Sequence, residues 1–107
     1  MKSLRIVLSE MAVADILEQA DWYEAQADSK LASRWEKAVT AALRRILQMP
    51  TAGLLCNFRA DELAGTRRGI ISGFAKHLIF YQIREKEIFV LHVVHGARDL
   101  ESLFSGY

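Results

Sequence analysis

Three histidines, two adjacent arginines and a single cysteine are the side chains here whose types bear most directly on chemistry. His92 and His95 stand three apart in an apolar run that reads as a strand, so they are expected on opposite faces. His77, on the neighbouring strand, shares a face with His92 only as a diagonal neighbour, roughly 7–8 Å away. No cysteine or carboxylate joins them at ligand spacing, and a structural zinc wants four close ligands, so no metal is expected. Cys56 excludes an internal disulfide and reads as a small, semi-buried apolar residue. Arg67 and Arg68, with Lys76 on the neighbouring strand, make a cationic cluster. Such a cluster suits phosphates or an acidic peptide, and equally suits a solvated strand edge that charge keeps from aggregating. No aromatic ladder runs through these charges, so a stacking platform for single-stranded nucleic acid is not supported. There is no G-x-S-x-G, no phosphate-cradling glycine loop and no carboxylate pair at useful spacing, and nucleophilic catalysis has no support.

The stretch "VVHGARDLESLF", Val93 to Phe104, runs from an apolar strand into a charged turn and an apolar tail. Gly96 frees the chain to turn. Arg98 and Asp99 follow, and Leu100, Leu103 and Phe104 can dock back as a half-helical tail. A surface Arg–Asp pair is worth little energetically. The residues alone leave open whether this ending is punctuation or a contact surface.

Leu4 to Leu8 alternates like an edge strand with one buried face, and Ser9 can cap the helix that follows. That helix is expected from about Glu10 to Gln26, with Val13, Ile16, Leu17, Ala20, Tyr23 and Ala27 as its apolar stripe. Ser29 is the expected cap of a second helix, Lys30 to Met49. Its stripe is Leu31, Trp35, Ala38, Val39, Ala42, Leu43 and Ile46, and Pro50 stops it. Trp22 and Trp35 read as packing residues of this helical hairpin. "TAGLLCNFRADELAG" reads as a loop. Three strands follow: "TRRGIIS", "KHLIFYQI" and "IFVLHVV", the last two joined by "REKE" as an antiparallel hairpin. If Ile83 pairs with Ile88, one face carries His77, Ile79, Tyr81 and Ile83 with Ile88, Val90, His92 and Val94. The other carries Lys76, Leu78, Phe80 and Gln82 with Phe89, Leu91, Val93 and His95. Both faces are apolar, and the helical hairpin can cover only one. The second is expected to be a protein-binding surface. The fold class is α+β: a small antiparallel sheet packed on an N-terminal helical hairpin, in the order β-α-α-β-β-β with a short C-terminal tail.

The chain has 107 residues and a net charge of +1. That is the size of one domain, spanning 1–107, with no global pull toward nucleic acid or anionic membrane. The opening apolar run is short and broken by Arg5, Ser9 and Glu10, unlike a signal peptide. No apolar window approaches the roughly 20 residues of a bilayer span. A cytoplasmic protein without membrane contact is expected.

"TRRGIISGFAKHLIFYQI" and "VLHVVHGARD", on this order of elements, resemble the RelE/ParE superfamily of type II toxin–antitoxin toxins. The His-Gly-x-Arg-Asp ending resembles its ParE branch, the plasmid-stabilisation toxins. The resemblance implies a curved antiparallel sheet under the hairpin, no cofactor, and a cognate antitoxin whose C-terminal segment wraps the toxin. Operator DNA is then met only through that antitoxin. Two growth-arresting activities divide such proteins: poisoning of DNA gyrase, and cleavage of messenger RNA on the ribosome. Cleavage needs an activated 2′-hydroxyl, a stabilised phosphate and a protonated leaving oxygen. RelE-type sequences carry Gly-x-Arg and a Tyr six residues beyond that Arg. Here Gly96, Ala97 and Arg98 match, but Phe104 stands where the Tyr belongs, and phenylalanine transfers no proton. Arg68 and Arg98 can still bind phosphate, and His77, His95 or Tyr107 are the substitutes for proton transfer. The expectation is therefore a gyrase poison with no catalytic residue. Arg67, Arg68, Lys76, His77, Tyr81, Arg98, Asp99 and Phe104 are its candidate target- or antitoxin-binding residues. The alternatives are a ribonuclease using Arg68, His77, His95 and Arg98, and an inactive homologue serving only as antitoxin partner or co-repressor.

Overall fold

The computed structural model describes residues 4–96. The expectations on Arg98, Asp99, Leu100, Leu103, Phe104 and Tyr107 lie outside the described residues. Strand β1 (Arg5–Leu8) leads into helices α1 (Glu10–Gln26) and α2 (Ser29–Gln48). Strands β2 (Leu54–Leu55), β3 (Arg67–Ile70), β4 (His77–Ile83) and β5 (Glu87–His95) complete a sheet of order β1-β5-β4-β3-β2. The fold is α+β as expected, with two additions. β1 lies parallel to β5, so the sheet is mixed rather than antiparallel. The expected loop after Pro50 also holds the short β2, paired with Arg67 and Arg68, and two single-turn 3-10 helices, Pro50–Ala52 and Asp61–Leu63.

Local chemistry sets the helix ends. The Ser9 hydroxyl accepts from the Ala12 N–H and donates to the Leu91 carbonyl, capping α1 while tying it to β5. The cap of α2 is Asp28, not Ser29: its carboxylate accepts from the Leu31 N–H at 2.8 Å. Aspartate adds a negative charge at the positive end of the helix dipole.

The main core lies between the hairpin and one sheet face. Trp35, Val39, Ala42 and Ile46 of α2 meet Ile79, Tyr81, Ile88, Val90 and Val93. The α1 stripe departs from expectation. Val13 and Leu17 are exposed, while Ala12, Ile16, Ala20 and Tyr23 pack inward. The small side chains at 12 and 20 let the helix come close, so the large ones beside them face out.

The Ile83–Ile88 pairing holds at the turn, but the register slips between Phe80 and Tyr81 and leaves Leu91 as the extra residue of a bulge. Beyond it the expected faces are wrong. His77 stands opposite His95, Val93 joins Ile79 under the helices, and Val94 joins Leu78 on the far side. That far side is not bare either. Segment 56–63 folds over it, and Leu63, Phe80, Leu91 and Val94 form a second buried cluster flanked by Cys56, Phe58 and Ala60. The Gln82 amide pins the cover by donating to the Glu62 carbonyl and the Thr66 hydroxyl. The expected open apolar face is therefore mostly closed by the chain's own loop.

Candidate functional site

A cleft of about 820 Å³ opens between α1, the β3–β4 turn and the ends of β4 and β5. Its floor is a chain of rings. The fully buried Trp35 touches Phe74 and His77 at centroid distances of 5.2 and 4.8 Å, and Tyr23 packs on both Trp35 and Phe74. The Trp35 indole N–H donates to the Ile16 carbonyl at 3.0 Å, which fixes its ring. At the rim stand Lys76, His95 and Trp22. Trp22 is 56% exposed, packing edge-on to Tyr23, so it is a surface ring and not the hairpin packing residue expected. His77 and His95 sit 5.5 Å apart. Burial holds the His77 imidazole below the ordinary histidine pKa, and the neighbouring His95 adds to the effect. Burial thus favours the neutral form of His77 and shields its ring.

The cleft's outer wall carries a contact that the sequence did not signal. Asp15 on α1 accepts from the Val93 N–H at 2.9 Å and lies 2.7 Å from His92 Nδ1. β1 pairs with β5 only as far as Val90, so the rest of that strand edge is closed by Ser9 and Asp15 side chains instead. The expected His77–His92 face-sharing does not occur. Among the described residues, no group of three or more histidines, cysteines, aspartates and glutamates is placed to hold a metal ion.

A second site lies at the other end of the sheet. β2 covers only Arg67 and Arg68, so the edge of β3 is bare at Gly69 and Ile70. A groove of about 480 Å³ runs along it under the C-terminal turn of α2. Ile70, Met49 and Leu54 stand more than 60% exposed there, with Arg45 and Arg68 beside them.

The expected cationic cluster is therefore split. Arg67 donates to the carbonyls of Thr51 and Gly53 and acts as a strut for the 3-10 turn. Arg68 lies on the opposite face of β3, at the groove. Lys76 lies five residues along β4 from Tyr81, the partner of Arg67, about 16 Å away along the strand. Tyr81 is fully buried, and its hydroxyl donates to the Pro50 carbonyl at 2.7 Å. Burial pushes its pKa up, against lowering contributions from its backbone contact at Gly53 and from Arg67. Cys56 is half-buried, and burial raises its thiol as well, which suits the packing role expected.

A helical hairpin on a sheet whose last three strands run antiparallel, with β1 returning parallel to β5, is the fold of the RelE/ParE-type toxins. The profile described as "ParE toxin of type II toxin-antitoxin system, parDE" matches residues 6–100, and the chain belongs to that family. Three solved structures share the fold. The chromosomal ParDE toxin–antitoxin system of P. aeruginosa aligns with a TM-score of 0.71 at 15% identity, over 87% of this chain and 96% of that one. A YoeB dimer from Staphylococcus aureus aligns at 0.55 and 19%, over 87% and 97%. A YoeB/ParE toxin from Agrobacterium tumefaciens aligns at 0.53 and 14%, over 86% and 98%. No curated protein matches the chain.

Proposed function

We propose that this ParE-family toxin arrests growth by poisoning DNA gyrase in the cytoplasm and is neutralised by a cognate antitoxin. The observation that carries the gyrase reading is the separation, among the described residues, of Arg68 from the two histidines. RNA cleavage requires a base, an acid and a phosphate-binding cation within hydrogen-bond reach of one phosphodiester. Here Arg68 faces the edge groove, while His77 and His95 lie on the other face, at the other end of β4. His77, the best placed as a base, is only 9% exposed beneath the ring of Trp35. Surface contact with a protein target needs no such convergence.

The antitoxin reading rests on the bare edge of β3. An extended segment can add there as a strand, bonding Gly69 and Ile70 and covering Ile70, Met49 and Leu54. A tail that is disordered beforehand loses entropy on docking, which the buried apolar area must offset. Arg68 offers it a charge partner. Expression without antitoxin should arrest growth, and co-expression should restore it. Arrest that persists with soluble antitoxin present would remove the neutralisation arm. Arg98→Ala should weaken toxicity while leaving the melting temperature unchanged.

Two observations favour the ribonuclease alternative: the His77–His95 pair opens into the same cleft as Lys76, and two of the similar folds are YoeB-type toxins. Under that reading His77→Gln and His95→Gln would abolish cleavage of ribosome-bound message. Under the gyrase reading no cleavage is seen with the unaltered toxin.

A further inference from the structure

The net charge of +1 conceals a sharp division between the two helices. α1 carries five acidic residues and no basic one, whereas α2 carries five basic residues against the single Glu36. The five are Lys30, Arg34, Lys37, Arg44 and Arg45, and all are exposed. At 3.6 residues per turn they fall within an arc of about 100°, in a row roughly 22 Å long, and Glu36 lies well outside that arc. None of the five forms an ion pair among the described residues.

From this row we infer that α2 is a binding surface for the backbone of duplex DNA. The composition of the face decides between an acidic protein and a nucleic acid. A protein interface wants aromatic or aliphatic anchors at its centre. The residues within the arc are instead Ala41 and Gln48, and Ser33 and Thr40 flank it on the side that leads to Glu36. Short hydroxyl and amide groups between Arg and Lys are the usual partners of phosphate oxygens. No aromatic side chain lies on the face, so a single strand has nothing to stack on. A band of cations on a rigid helix fits the regular phosphates of a duplex, and the acidic α1 fixes which side of the toxin turns toward it. The choice of DNA over duplex RNA rests on the gyrase reading, because that target holds DNA beside any protein bound to it. The surface is separate from the cleft, and it meets the edge groove only at Arg45.

The test is fluorescence anisotropy of a short labelled duplex with purified toxin, in the absence of gyrase and antitoxin. The expected result is saturable binding whose salt dependence has a log–log slope of about −4, a roughly two-hundred-fold loss of affinity between 50 and 200 mM salt. The combined Lys30→Gln, Arg34→Gln, Lys37→Gln and Arg44→Gln variant should lose most of that slope. Lys37→Gln and Arg44→Gln singly should each lower it by about one, which keeps the test open if the combined variant does not fold. Arg5→Gln with Lys86→Gln, on the far end of the sheet, should bind as the unaltered toxin does. Absence of binding at low salt would overturn the inference, as would a slope unmoved by the α2 substitutions. So would tighter binding to duplex RNA, or full displacement by polyglutamate at equal charge. Because no gyrase is present, failure here is distinct from failure of the gyrase reading, which a supercoiling assay reports separately.

Discussion

Gly53 and Tyr81 show how closely single atoms set this fold. The Tyr81 hydroxyl donates to the Pro50 carbonyl, and a Cβ on Gly53 would collide with that hydroxyl and with the Arg68 carbonyl. Gly53→Ala should therefore cost about 1–3 kcal/mol, as overpacking of a close contact does, read as a lower urea midpoint. An unchanged midpoint would show that the turn gives way freely. His77 makes a second prediction at this scale. Its pKa is lowered on folding, by burial first and His95 second. The unfolded chain then binds more protons, so stability is complete above the ordinary histidine value near 6.5 and declines as pH falls through it toward the folded value. Urea midpoints from about pH 7.5 to about pH 5 should fall, and His77→Phe, which keeps a ring against Trp35, should flatten that decline. An identical slope in the variant would contradict the assignment. The histidines were visible in the sequence as chemistry-bearing residues, but their partners were not. Asp15 is 77 positions from His92, and no local pattern announces such a contact.

At the scale of elements, the strong periodic segments were legible and the weak ones were not. The bounds of α1 and the strands β3, β4 and β5 follow from the 3.6 and 2.0 periods and the turn residues between them. The α2 cap was misplaced by one residue because Asp28 and Ser29 both suit the position. Asp28→Ala should cost about 1 kcal/mol and Ser29→Ala much less. Equal losses in thermal denaturation would return the cap to Ser29. The bulge at Leu91 has no sequence signature of its own, and it alone moved His77, Val93 and Val94 from the expected pairings. The cover over the second face was missed because Phe58, Ala60 and Leu63 follow no period. Leu63 is 2% exposed, so Leu63→Ala should destabilise by about 2–4 kcal/mol. A loss under about 0.5 kcal/mol, the size of an ordinary surface change, would mean that the loop does not hold that core.

At the scale of the whole molecule, the two ends of the sheet and the outer face of the hairpin present different chemistry. One end is an aromatic cleft rimmed by Lys76 and His95, the other a bare strand edge with exposed Ile70, and α2 is a basic face. The sequence named Arg68, Lys76, His77 and His95, yet only the fold shows that the last three line one cleft while Arg68 stands apart at the edge groove. Trp22 joined the cleft because α1 turns it outward, which the stripe read from large side chains concealed. The distance of Arg68 from the histidine cleft is the physical basis for reading the toxin as a protein-directed poison.

The central claim is tested most directly by gyrase supercoiling of relaxed plasmid with purified toxin, with and without antitoxin. Loss of supercoiling with trapped, cleaved DNA is expected at micromolar toxin or below, reversed when antitoxin is added. Normal supercoiling at that concentration, with cleavage of ribosome-bound messenger RNA that depends on His77 and His95, would contradict it.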